Sequence, residues 1–371
     1  KVSSYTVPTT ITSIDAYAFS GASLRSVVIT DQVTSLGNGL FYNCNKLRSV
    51  ILPANTTTVK YSMFENCYAL TTIENTANIE EIEGRAFLMC TSLENVPVTE
   101  KVTLIGESAF EGCEQIKSVV IPATMTSIPK FAFKDCKNLS DVTFPESITI
   151  VGESAFEGCS KLTYIELKEG LITIEDKAFA NCCQSFVYEV DENGEVKKDA
   201  DGNSIRKELL IKIPTTVESI GRQAFIGCRG ATKIYLPVEV DKDGKIIRAA
   251  SYVGDEAFGS MATTTFFTEG IVRLLDEEGN ATGEKTYPAG WSKALDQQMG
   301  TSLYRGEFKL DSNGVPVSLN DNSNNDNTGT EIPKRDTKPG QCDYKENLGY
   351  YFMITATLVS GVVLLRKKQN H

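Results

Sequence analysis

Histidine occurs once in the 371 residues, as His371, and tryptophan once, as Trp291. A single His at the end of the chain removes His-containing triads, His general bases and most catalytic zinc sites. No Gly-rich phosphate loop stands between a strand pattern and a helix pattern. Basic charge is short as well: 37 Lys and Arg face 48 Asp and Glu, for a net charge of −11. That argues against nucleic acid, whose binding depends on neutralising phosphates. Carboxylates are plentiful, but no pair recurs in a convergent context. The sequence therefore offers no enzyme, no catalytic residue and no cofactor. Long uncharged runs are also missing until residues 348–365.

The ten cysteines are the opposite case, because most are evenly spaced. Cys44, Cys67, Cys90, Cys113, Cys136, Cys159 and Cys182 fall one every 23 residues, each with a Phe three positions before it. The frame extends to Phe19 with Ala22 in the Cys slot, and to Phe225 with Cys228 and Phe258 with Met261, making ten rungs. An aliphatic residue lies five before each Phe, as at Ile82, Ile105 and Ile128. After the Cys slot comes Leu-x-x-Val-x-Ile, as in Leu24, Val27 and Ile29, often followed by Pro, as at Pro53, Pro122 and Pro214. Its period of two marks a short strand with one buried face. Such strands are stable only when stacked, each pairing with the next at about 4.8 Å. A period of this size with this phrase predicts a leucine-rich repeat solenoid rather than several globular domains.

The segment Ile-Gly-Glu-Ser-Ala-Phe-Glu-Gly-Cys at 105–113, nearly repeated at 151–159, and Val-Val-Ile-Pro at 119–122 resemble the BspA-like leucine-rich repeat. The similarity spans roughly residues 8–268. It implies a curved solenoid with a parallel β-sheet on one face. It also implies a secreted or surface-displayed protein of bacteria or mucosal protozoa, associated with adhesion to host proteins or other cells. No catalytic residue comes with it.

Two readings of the Cys column compete. Stacked equivalent side chains lie about 4.8 Å apart, wider than the usual Cβ separation in a disulfide, about 3.5–4.5 Å. Reduced thiols acting as small core residues fit better, and Ala22 and Met261 in the same slot agree with packing. Zinc needs Cys pairs converging on a point, whereas these are spread along a line. Cys183 and Cys342 lie outside the column and are the candidates for reactive thiols.

The repeat is interrupted late. From the strand-end residue to the next aliphatic takes seven positions in an ordinary rung, as from Ile121 to Ile128. It takes 30 from Val190 to Ile220 and 17 from Leu236 to Val253. Both insertions are expected to start at the same place in the repeat and to form hairpins, at about 191–210 and 238–248. The first leaves along 186–190, turns at Asp191, Asn193 and Gly194, and returns at 205–213; the second turns around Asp241 and Asp243-Gly244. A third, through Glu278-Gly279-Asn280, belongs to a C-terminal cap over 269–310 that contains Trp291. Alternating Asp199, Asp201 and Asn203 hint at calcium. An EF-hand loop, however, needs Gly and Glu where this chain has Ser204 and Leu210, and turn chemistry accounts for the same residues.

The candidate protein-binding residues are Tyr164, Glu166, Lys233 and Tyr235 on the open face of the sheet, and Asp191, Asn193, Asp241 and Asp243 on the hairpins. Solvated sheet residues and end-capping are the ordinary alternatives for the two groups. Residues 311–347 read as a flexible linker. The uncharged stretch 348–365, about 27 Å long as a helix, precedes Arg366, Lys367 and Lys368. It predicts a transmembrane helix with 366–371 as a basic cytoplasmic tail and the repeats outside. A hydrophobic segment with a basic end also resembles a sortase signal. The Leu-Pro-x-Thr-Gly motif is absent, though, and Thr337-Lys-Pro-Gly-Gln341 is a poor substitute. No signal peptide starts the chain, so it is either processed or a fragment. Two functional classes remain: an adhesion module that binds an extracellular-matrix protein, mucin or another cell-surface protein, and a structural stalk or envelope component.

Overall fold

The computed structural model describes residues 3–184, 188–205 and most of 207–259. Beyond these it describes the strands Thr265–Thr268, Val272–Leu275, Ala281–Thr286, Ser302–Leu303, Phe308–Leu310 and Pro316–Ser318.

A typical rung contributes two short strands. The Val-x-Ile phrase forms one, as in Ser26–Val28, Ser49–Ile51 and Thr72–Glu74. The aliphatic residue before the Phe ends the other, as in Thr58–Val59, Glu81–Ile82 and Leu104–Ile105. Copies pair in parallel at one repeat's offset: Val27 faces Val50, Val50 faces Ile73, and Val59 faces Ile82. The result is a parallel β-solenoid of about ten turns. Pairing along the first ladder lapses after Thr72–Glu74, resumes at Ser118–Val120 with Asp141–Thr143, and resumes again at Leu210–Lys212. The first lapse coincides with Pro97, which has no N–H to donate to a ladder.

The core is a set of columns. Phe19 to Phe258 stack in one line with ring centroids 5.3–5.4 Å apart and planes within 4–11°. Beside it runs the thiol column. Cys67, Cys113 and Cys159 donate to the carbonyls of Phe41, Phe87 and Phe133, each at 3.1 Å. Cysteine suits this slot because it is small and apolar yet carries a weak donor for an otherwise buried carbonyl. Burial pushes these thiols up in pKa. All nine described cysteines are free and buried. The rungs from Phe19 to Phe225 each turn through two left-handed residues, two before and two after the Phe, such as Ser108 (φ 55°) and Gly112 (φ 73°). The later position takes mostly Gly, Asn or Asp, the residues that tolerate this region.

The first insertion departs from expectation. The sheet strand of the Phe179 rung is Leu210–Lys212, which pairs in parallel with Lys233–Tyr235. Its strand-end residue is thus Ile213, seven positions before Ile220, as in an ordinary rung. The insertion therefore lies between Cys182 and the sheet strand, whereas the second follows the sheet strand Lys233–Leu236. The two do not start at the same place.

Further on, Glu239–Val240 with Ile246–Arg248 and Val272–Leu275 with Ala281–Thr286 are antiparallel hairpins, and Ser302–Leu303 pairs in parallel with Thr265–Thr268. Phe308–Leu310, at the end of the expected cap, and Pro316–Ser318, in the stretch expected to be a linker, form another antiparallel pair. The 348–365 segment, the basic tail and Cys342 lie outside the described residues. Among the described residues no helix is long and apolar enough to cross a membrane.

Candidate functional site

Along the sheet, residues flanking the central aliphatic point outward, and their exposure changes from rung to rung. Ser26, Val28, Ser49 and Ile51 are half-buried. In the middle of the solenoid the face opens: Ser118, Asp141 and Thr143 are exposed, Val120 is 65% exposed and Tyr164 is 59% exposed. Glu166 is exposed and ion-paired with Lys168, while Ile165 between Tyr164 and Glu166 is buried. Two apolar groups thus stand on an otherwise polar strip, held by a backbone whose inner side is closely packed.

The later rungs differ. Tyr235, expected on the open face, is only 4% exposed, and Lys233 is half-buried. The strand Lys233–Leu236 is paired on both edges, by Leu210–Lys212 and Thr265–Thr268, and carries three consecutive buried residues. Both of its faces are therefore covered at Tyr235, which withdraws that side chain from an open surface. Leu210 and Lys212, on the preceding rung, stand in the same two rows. The distance from Ile213 to Ile220 was the signal that would have placed them.

The first insertion is two linked turns rather than one hairpin. Val190 bridges Val196, and Lys198 bridges Ser204. Asp191 Oδ1 accepts from the Asn193 and Glu195 N–H groups, both at 2.9 Å. Eight residues on, Asp199 Oδ1 accepts from Asp201 at 3.0 Å and Asn203 at 2.8 Å. Gly194 and Gly202 both have φ 83°, which the turn requires. The two turns are tied in a ring: Glu189 donates to Ile205, Ile205 to Lys197 and Lys197 to Glu189, each at 2.9 Å. The Asn203 hydrogen bonds hold the Asp199 carboxyl below the usual carboxylate range. Both aspartates are thus engaged in turn chemistry. Among the described residues no group of three or more His, Cys, Asp and Glu could hold a metal ion. Asp241 and Asp243 lie outside the described residues.

Cys183, a candidate reactive thiol, is buried and donates to the Leu162 carbonyl at 2.8 Å. A depression of about 330 Å³ lies on the two-residue ladder, lined by Lys130, Glu153, Glu175, Asp176 and Tyr252 among others. Its Lys130–Glu153 pair, 3.0 Å, spans one repeat; sequence reasoning did not single it out.

Several solved structures are similar. The T. pallidum leucine-rich repeat protein is 27% identical, with a TM-score of 0.41, over 43% of this chain and 78% of that one. A leucine-rich repeat protein from Bacteroides ovatus ATCC 8483 is 24% identical, with a TM-score of 0.45, over 64% of this chain and 59% of that one. A leucine-rich cell surface protein from Faecalibacterium prausnitzii A2-165 is 20% identical, with a TM-score of 0.38, over 81% and 87%. No curated protein matches the chain. The model of the BspA type leucine rich repeat region matches in six copies, over residues 1–117, 82–200 and 208–247. With the Phe and Cys columns in register across these residues, the chain belongs to the BspA-type leucine-rich repeat family.

Proposed function

We propose that this chain is a surface-displayed protein-interaction module that engages its partner through the open sheet face around Val120, Asp141, Thr143, Tyr164 and Glu166, with a contribution from the insertion that carries Asp191 and Asn193. The observation that carries the reading is the exposure of Val120 and Tyr164 on a strip whose neighbours are polar. A tyrosine with an apolar body and a polar tip, two rungs from an exposed branched aliphatic, is the composition of an interface core rather than of a solvated surface. Repeat solenoids use such extended faces for binding. The partner class is a cell-surface or matrix protein or mucin, and the role is adhesion. The 348–365 segment with its basic flank supports a single-pass anchor that leaves the repeats outside.

Binding of the full chain to immobilised matrix proteins and mucin tests this. Val120→Asp with Tyr164→Ala should weaken any binding at least tenfold while leaving the circular dichroism spectrum unchanged. Deleting residues 191–206 measures the share of the insertion. Binding unaffected by both changes would remove this face from consideration. A folded chain that binds none of these ligands would point to the stalk role.

A further inference from the structure

The two-residue ladder breaks between Ser35–Leu36 and Thr58–Val59. On one side of the break the Thr34 and Gly37 N–H groups donate to the carbonyls of Thr12 and Ile14, each at 2.9 Å. On the other, Glu80 and Glu83 donate to Thr57 and Val59, at 2.7 and 2.9 Å. Across the break the matching donors are Thr57 and Lys60 and the matching acceptors Thr34 and Leu36, and neither bond forms. The ladder's other lapse, between Leu104–Ile105 and Ser127–Ile128, has Pro129 in the place of Lys60 and so lacks a donor. No proline accounts for this one. The rungs stay stacked all the same: Val50 faces Ile73 on the sheet, and the Phe41 and Phe64 rings lie 5.4 Å apart. A peptide strand would need roughly twice the usual 4.8 Å separation, so the breach admits only a small ligand.

A depression of about 250 Å³ opens at this breach, lined by Thr34, Ser35, Asn55, Thr56, Thr57 and Thr58, together with Lys60. Thr56 interrupts a column, because every other rung places an apolar residue eight before the Phe, such as Val33, Ile79 or Val102. Thr56 is 8% exposed, and its hydroxyl has no hydrogen-bond partner among the described residues. The other buried hydroxyl without one belongs to Thr30, whose carbonyl accepts from Val33 in the turn that leads into the same depression. Buried polar groups are nearly always paired, so two orphans at one place call for a partner. The Thr57 hydroxyl also makes no bond, whereas Thr34 and Thr103, at the same place in their rungs, bond back to the Thr12 and Glu80 carbonyls at 3.3 and 3.2 Å. The lining contains no carboxylate for a metal, and Lys60 is already paired with Glu83 at 3.0 Å. What it offers is a mixture of neutral donors and acceptors. Sugar hydroxyls match that mixture, since each donates and accepts. The volume falls just short of the usual ligand pocket, about 300–1,000 Å³, and suits a single ring. We propose that the breach binds a neutral sugar, the terminal residue of a glycan, through the Thr57 and Lys60 N–H groups, the Thr34 and Leu36 carbonyls and the hydroxyls of Ser35, Thr56 and Thr57. The site lies on the other ladder and on earlier rungs than Val120 and Tyr164, so it stands or falls separately from the sheet face.

Saturation-transfer NMR on the full chain, with the methyl glycosides of glucose, galactose, N-acetylglucosamine and sialic acid as probes, tests this. At least one of the three neutral glycosides should receive saturation. Its Kd should rise at least tenfold in Ser35→Ala with Thr57→Ala, both exposed positions, and in Thr56→Val, which takes the residue type of Val33. Thr56→Val should also melt a few degrees higher, because it removes a stranded hydroxyl. Val120→Asp with Tyr164→Ala should bind the sugar unchanged. A folded chain that transfers no saturation to any neutral glycoside holds only water in the breach and overturns the proposal. Transfer confined to the sialic acid glycoside would place the attraction on the Lys60 charge and overturn it too, as would transfer that both sets of variants leave unchanged.

Discussion

Replacing Phe110 with Ala tests whether the aromatic column is what holds the rungs in register. Phe110 is fully buried, with ring centroids 5.3 Å from Phe87 and 5.4 Å from Phe133 and planes tilted 9° and 7°. Removing a buried phenyl ring costs about 3–5 kcal/mol, the upper end applying where the surroundings cannot collapse. Collapse is blocked here because the strands on either side of the ring, Leu104–Ile105 and Ser118–Val120, are both paired into ladders. The expected loss is therefore about 4–5 kcal/mol. Phe19 is the internal control. It is half-buried, stacks on Phe41 at 5.4 Å and meets Tyr5 only at a 60° tilt, so Phe19→Ala should cost about 2 kcal/mol. Urea unfolding followed by far-ultraviolet circular dichroism measures both. A drop in m-value for Phe110→Ala would show that the break uncouples the rungs on its two sides. Equal losses for the two variants, or a loss below about 2 kcal/mol at Phe110, would refute the column as the source of register.

Glu65 is almost buried and accepts from the Ser62 hydroxyl at 2.6 Å and from Arg85 at 2.6 and 3.0 Å. Glu65→Ala strands the buried Ser62 hydroxyl and should cost about 2–3 kcal/mol by thermal melting, more than Arg85→Ala, whose side chain reaches solvent. Asp199 titrates below the usual carboxylate range because the Asn203 hydrogen bonds favour its charged form. Its contribution to the turn is complete above about pH 4 and is lost as the pH falls through the folded value. Amide exchange at Asp201 and Asn203 should accelerate in that window, and Asp199→Ala should show the fast rate at every pH. Met89 occupies the left-handed position two after the Phe, with φ 61°, where the other described rungs place Gly, Asn or Asp. Met89→Asn should stabilise the chain by about 0.5–1 kcal/mol in the same urea assay.

The repeat was legible because its columns are buried, and burial demands the same residue type at every turn. Phe110, Cys113 and Ile105 announce their positions by chemistry as well as by spacing. The placement of the first insertion was not, because residues 186–190 follow Cys182 with an alternation that imitates the sheet phrase. The competing signal was Ile213-Pro214, whose spacing to Ile220 equals that of Ile121-Pro122 to Ile128. Tyr235 misled for a different reason. Outward orientation was read correctly from the alternation, but what lies over a face depends on contacts between distant segments. The left-handed column two after the Phe was visible as Gly112, Asp135 and Asn181. The one two before it holds Tyr17, Arg85 and Phe131, and no residue type marks it.

Stacking also decides where specificity can reside. A buried column accepts little variation, since a change in size at one rung disturbs both neighbours. The outward rows meet no such demand, and they change from Ser118 to Asp141 to Tyr164 over three rungs. The insertion adds a second freedom, because its residues belong to no column. Its own hydrogen-bond ring through Glu189, Lys197 and Ile205, and the two aspartate turns, hold it in shape without help from the core. A projection ordered in advance loses less conformational freedom when a partner docks. If the insertion contributes to binding, Asp199→Ala should therefore weaken it through a faster off-rate even where Asp199 touches nothing in the partner. A variant that exchanges faster yet binds with unchanged kinetics would place the contacts on the sheet face alone.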